Sequence, residues 1–225
     1  MIPSILNRRS IRKYKDTPVP REAIEEILYA GSLAPSSKNR QPWKFIVVSG
    51  EAKKEMLEAM GRGLAREKEG RDALLPESRQ HISGAEHTLH IMEQAPVNLF
   101  IINPLGLDLD SPATPEQRIY EICNAQSIGA AVENMTLAAE GLGLGSLWIC
   151  DIFFAYRELN QWLGVQGTLA AAMALGYADE APGPRPRNTP KSCPRPSSIR
   201  TAMTATVGKT PSSTMPPKVC SPRSS

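Results

Sequence analysis

At 225 residues with 41% hydrophobic content, the chain is long enough for one sizeable core and an appended segment. A formal net charge of +3 is too small to argue for nucleic acid. No apolar run reaches the roughly 18 residues that span a bilayer, and the opening residues are too soon charged for a signal peptide. A cytoplasmic protein that contacts neither nucleic acid nor membrane is therefore expected.

The first motif along the chain is Arg8-Arg9-Ser10-Ile11-Arg12, which packs three guanidinium groups and a hydroxyl into five residues. Guanidinium forks bind phosphate bidentately; taken alone, the run reads equally as a solvated surface patch. Asp16-Thr17-Pro18-Val19-Pro20 with Glu22 signals a helix start, and Ile24, Ile27, Leu28 and Gly31 continue it at helical spacing until Leu33-Ala34-Pro35. The second motif, Pro35-Ser36-Ser37-Lys38-Asn39-Arg40-Gln41-Pro42-Trp43, offers hydroxyls, an amide and backbone N–H groups in a turn. It leads into a buried strand predicted over 43–48. Ser49-Gly50 then turns the chain into a helix over 51–66, with Met56, Leu57, Met60 and Leu64 on one face. Residues 67–94 are charged and predict one or two exposed helices with loops. His81, His87 and His90 within them read as solvated, since no HExxH-type motif accompanies them.

A second strand is predicted over 95–103, a loop rich in Pro, Asp and Gly over 104–115, and a long helix over 120–140. The helix carries small or medium apolar residues, Ala125, Ile128, Gly129, Ala130, Val132 and Met135 among them. That composition fits a close interface between two copies or a central core helix of one. Gly141-Leu142-Gly143-Leu144-Gly145 follows a helix and lacks GxGxxG spacing, so it reads as a helix C-cap and tight turn. A strand over 146–150, a helix over 156–163 and an alanine-rich strand over 168–177 complete the series. Trp148 reads as a strand core residue, and Cys150 as a small buried hydrophobe because no His neighbours it. The four cysteines form no CxxC pair, which argues against structural zinc and for reduced, mostly buried thiols. The alternation of helices and strands predicts an α/β layered domain over residues 1–187.

After Arg187 the composition changes. Of the last 38 residues 21 are Pro, Ser or Thr, and none is Leu, Phe, Tyr or Trp. The segment holds six Lys/Arg and no acid, so residues 1–187 carry a formal charge of −3. Such a stretch cannot bury enough apolar surface to offset the entropy of ordering. A disordered tail that pairs with no strand is predicted over 188–225, with no aromatic interleaving to bind nucleic acid.

The two N-terminal motifs, the helix around Asn124-Ala125-Gln126-Ser127-Ile128, the glycine run ending in Trp148-Ile149-Cys150, and Leu175-Gly176-Tyr177 with Arg187 resemble the nitroreductase family of FMN-dependent oxidoreductases. The resemblance covers residues 4–187. It implies an α+β fold with a mixed, largely antiparallel sheet between helices, in a homodimer whose FMN sites lie at the interface. It places Arg8 and Ser10 with Arg187 at the FMN phosphate, counts Arg9 among the FMN-binding residues, and puts Arg12 at the flavin N1/O2 edge, where a fixed cation tunes the cofactor. It brings Pro35, Ser36, Ser37, Asn39 and Gln41 from the partner subunit, and aligns Ile149, Cys150 and Asp151 with a backbone donor to flavin N5. The implied chemistry is ping-pong transfer of electrons from NADH or NADPH to small electrophiles such as nitroaromatics or quinones. It needs no catalytic acid, nucleophile or metal. Residues 67–118 would then set acceptor choice. The atypical tail leaves a second reading open, a flavin-binding protein without turnover.

Overall fold

The computed structural model describes residues 1–187 and two short strands beyond them, Lys191–Ser192 and Met203–Thr204. Four strands form the central sheet in the spatial order β1 (Lys44–Ser49), β2 (Val97–Asn103), β4 (Thr168–Gly176) and β3 (Gly145–Ile149), all antiparallel. The mixed character comes from the N-terminal segment, where Ser10 forms an isolated parallel bridge to Ser146 on the outer edge of β3. In β2 all seven residues are buried, as its uninterrupted run Val-Asn-Leu-Phe-Ile-Ile-Asn requires of a strand covered on both faces.

Helices cover both faces. Alternation along β2 sends Phe100 and Ile102 to one side, where they pack with Met56, Met60 and Leu159 of α3 (Ala52–Glu69) and α6 (Tyr156–Leu163). The same cluster takes Ile91 and Met92 of α4 (Ile82–Gln94). Leu99 faces the other way, toward Ile27 of α2 (Arg21–Ser32) and Met135 of α5 (Pro115–Gly141). A one-turn helix, α1 (Pro3–Asn7), precedes the first motif.

Three expectations are corrected here. The segment 67–94 is not merely exposed: α4 buries Ile82, Ala85, Thr88, Ile91 and Met92, and only its other face carries His87 and His90. α5 begins at Pro115 rather than 120, because Thr114 and Gln117 form a capping box with Pro at the first helical position. Its 27 residues give a rod of about 40 Å. Trp148 is 40% exposed on β3, since odd-numbered Leu147 and Ile149 take the core side.

The chain divides into two units, Met1–Pro182 and Gly183–Ser225, a few residues before the boundary expected at 187. In the second unit Lys191 pairs with Thr204 and Ser192 with Met203, against the expectation of no strand pairing. The remainder of the predicted disorder over 188–225, with Cys193 and Cys220, lies outside the described residues.

Candidate active site

The first motif lies along the edge of β3. Ile11 donates its N–H to Ser146 O at 3.0 Å, and the Ile11 side chain occupies the space in which a Cβ on Gly145 would sit, 2.8 Å from Ile11 Cγ1. Gly143 (φ +73°) makes the preceding turn, and Leu144 N–H returns to Ala139 O at 2.8 Å, so the glycine run is the helix stop that its context predicts. Gly145→Ala is therefore expected to push residues 10–12 off β3 and lower stability by about 1–3 kcal/mol, read from denaturant unfolding.

The three arginines differ in what they have left to offer. Arg9 Nη1 donates to Leu6 O and Arg8 O, both at 2.8 Å, and closes the end of α1. The Arg12 side chain donates one hydrogen bond, to Ser10 O at 3.2 Å. Its backbone N–H and that of Lys13 both donate to Glu180 Oε1, which fixes the segment's path. Arg8 is half-buried, and its side chain makes no hydrogen bond among the described residues. It lies 3.7 Å from Glu133 Oε1 on α5, too long for one. A half-buried guanidinium with its donors unspent, two residues before Ser10 in the chain, fits a phosphate group.

The second motif is a strained turn. Lys38, Asn39 and Gln41 all have positive φ (53°, 52° and 48°), a backbone state that residues other than glycine hold only when neighbours enforce it. The enforcement is visible. Gln41 N–H donates to Ser36 Oγ at 3.0 Å, Gln41 Nε2 to Asn39 Oδ1 at 3.1 Å, and Ser37 N–H to Ser127 Oγ of α5 at 3.4 Å. The Lys38 ammonium and Arg40 guanidinium both lie over the Tyr120 ring, at 5.6 and 4.8 Å from its centroid. Pro35, Ser37 and Asn39 are exposed on this turn.

At the far end of β3, the Ile149 side chain is buried, which leaves only its backbone to offer a ligand. Cys150 is exposed, a correction to the buried hydrophobe expected, because it follows the last strand residue and begins the turn Asp151–Ala155. Cys123 is only partly buried, so neither described thiol is a core residue. Partial desolvation and the Asp151 carboxylate push the Cys150 thiol up, away from the nucleophilic thiolate. Asp151 Oδ2 accepts from the buried Thr88 hydroxyl at 2.5 Å, which pins this turn to α4.

The structure thus seats residues 8–12 on β3 beside Glu133, and residues 35–41 on α5 beside Ser127. Among the described residues no hydrogen bond or ion pair joins the two motifs within one chain. Arg187 belongs to the second unit. Sequence reasoning missed Glu133, Glu180, Tyr120 and Thr88, residues that hold the motifs in place. Thr88 sits in the segment with the weakest pattern, and no spacing rule pairs Tyr120 with a turn 80 residues earlier. His81, His87 and His90 are exposed, and among the described residues no group of three His, Cys, Asp or Glu side chains could hold a metal ion. No described helix is long and apolar enough to cross a membrane.

Known proteins resemble this chain in sequence and fold. A 4-nitrobenzoate reductase of Pseudomonas putida is 39% identical over 194 residues, covering 78% of this chain and 84% of that protein. A Bacillus subtilis protein provisionally named an NAD(P)H nitroreductase is 29% identical over 185 residues, covering 79% and 84%. A Desulfovibrio desulfuricans protein solved in complex with FMN superposes with a TM-score of 0.59 at 28% identity, over 82% of this chain and 89% of that one. The nitroreductase family profile matches residues 5–177. With the helix-flanked antiparallel sheet and both N-terminal motifs in place, this chain belongs to the nitroreductase family of flavin oxidoreductases.

Proposed function

We propose that this oxidoreductase binds FMN between two copies of the chain. It takes electrons from NADH or NADPH, and passes them to small electrophiles such as nitroaromatics or quinones in two successive half-reactions. The observation that carries this reading is Arg8, with its unspent donors, set beside Ser10 and Arg12 on one edge of the sheet. Arg8 and Ser10 would hold the phosphate, and Arg12 the pyrimidine edge of the ring. The exposed turn at 35–41 of a second copy would complete the cradle with Pro35, Ser36, Ser37, Asn39 and Gln41. Its strained backbone is already set in this chain, so little ordering remains to be done on binding. The backbone at 150–151, pinned by Thr88, would face the reacting edge of the ring.

FMN, when bound, supplies the two-electron relay between nicotinamide and acceptor. The chain's residues supply binding, orientation and charge, and the protonated Cys150 thiol is not called upon as a nucleophile. The dimer is supported by apolar side chains left in solvent: Ile5 and Leu6 of α1 (51% and 54% exposed), Ile119 and Ile122 of α5 (59% and 57%), and Trp148 of β3.

The test is an anaerobic titration of the purified protein. Flavin absorbance is expected to bleach with NADH or NADPH and to return when a quinone or nitroarene is added. Bound flavin that neither nicotinamide reduces would contradict turnover and favour a flavin-binding protein without catalysis.

A further inference from the structure

A cavity of about 380 Å³ opens between α5, the loop after β2 and the turn leading into α6. We propose that this cavity seats the electron acceptor, and that Glu121 makes it select neutral or cationic aromatic acceptors over carboxylated ones. The inference rests on the reading of this chain as a flavin-dependent reductase.

Position is the first argument. Ile128, one wall of the cavity, follows Ser127, whose hydroxyl holds the 35–41 turn. Phe153, another wall, returns its N–H to Cys150 O at 3.1 Å. The cavity therefore borders the turn Asp151–Ala155 that leads on from the end of β3. Its volume lies at the lower end of small-molecule pockets and suits one substituted ring. Ile122, Leu109, Phe153 and Tyr156 give it a mainly apolar surface.

Charge is the second argument. Among the described residues that line the cavity, Glu121 is the only charged one. No lysine or arginine lines it. The nearby cations are engaged elsewhere: Arg157 Nη2 lies 3.3 Å from Asp110 Oδ2, and Lys38 and Arg40 lie over Tyr120. The Tyr156 phenol is pushed up chiefly by burial, against a hydrogen bond with Asn160 that pulls it down, and the Asp108, Asp110 and Glu121 carboxylates add to the rise. A carboxylate placed inside would meet Glu121, with no lysine or arginine among the described lining residues to offset it. An amide of the same shape would not.

The experiment compares 3-nitrobenzamide with 3-nitrobenzoate on the FMN-loaded full chain. In each turnover NAD(P)H and a proton deliver two electrons to the nitro group. One N–O bond breaks, the oxygen leaves as water, and a nitroso compound and NAD(P)+ remain. The expected kcat/KM is at least about tenfold higher for the amide, from a like-charge penalty of about 1.4 kcal/mol or more. Glu121→Gln should narrow that ratio about three- to tenfold, and Glu121→Lys should close or reverse it. The dissociation constants read from tryptophan quenching should shift in the same sense. Equal kcat/KM for the two compounds, or a ratio that neither substitution moves, would overturn the proposal while leaving the reductase reading intact. Failure of the wild-type protein to reduce 3-nitrobenzamide at all, with flavin bound, would overturn the reductase reading itself.

Discussion

Arg8→Ala is expected to raise the dissociation constant for FMN about 10- to 150-fold, the loss of one charge-assisted contact worth about 1.5–3 kcal/mol. The same change should leave folding stability nearly intact. Its contact with Glu133 is 3.7 Å long, with side chains 26% and 46% exposed, so little fold energy resides there. Arg8→Lys should recover only part of the affinity, because an ammonium cannot form the bidentate fork. Arg9→Ala, one position away, should behave in the opposite manner. Its Nη1 is held by Leu6 O and Arg8 O at the end of α1, so its loss should loosen α1 and change FMN affinity by less than about threefold. Fluorescence titration of the flavin-free proteins separates the two. An equal effect at both positions would mean that the cluster acts as undirected charge.

Glu67→Ala should produce the largest loss of stability, about 3–5 kcal/mol, because it strips a buried charge cluster of its acceptor. Glu67 is 2% exposed. Its Oε1 accepts from Arg66 Nη1 at 2.6 Å and from Leu74 N–H at 2.7 Å, and its Oε2 from Leu75 N–H at 3.1 Å. Removing it leaves two backbone donors and part of a guanidinium without partners. Arg66 also donates from Nε to Glu158 Oε1 at 2.7 Å. At Glu158 burial works to push the carboxyl up, yet the Arg66 hydrogen bond, with smaller help from its own backbone, Arg66's charge and Arg157, holds it below its usual 4.5. A carboxyl whose folded value is depressed stabilises the fold fully above its unfolded value, and that contribution is lost as pH falls through the folded one. Stability should therefore drop below about pH 4.5 more steeply in the wild type than in Glu158→Gln, as measured by urea unfolding across pH.

Much of this molecule is readable from local pattern, and the exceptions have identifiable causes. α6 matches the helix predicted over 156–163 because an amphipathic stretch of eight residues ends at Gly164, in the left-handed conformation. The first three strands are recognisable from apolar runs bounded by turns, but their antiparallel pairing and the order β1-β2-β4-β3 are not, since apolar content does not name a partner. Residue type misleads at Trp148 and Cys150 for a related reason. Residue type favours burial for both, whereas strand alternation and the start of a turn expose them. In the candidate site, the two motifs stand out in the sequence as a pair of polar clusters, although either one alone reads equally as a surface run or a turn. Their supports do not stand out: Glu133, Glu180, Thr88 and Tyr120 lie 63 to 168 residues from what they hold or come from another layer, and no local rule joins such positions.

The central claim is that one flavin is gripped by residues 8–12 of one copy and residues 35–41 of another. Native mass spectrometry of the FMN-loaded protein measures this most directly. Two chains carrying two flavins are expected, with flavin and dimer lost together as the complex is diluted or as Ile119→Glu disrupts the apolar face of α5. A single chain that retains FMN at full affinity would contradict the account.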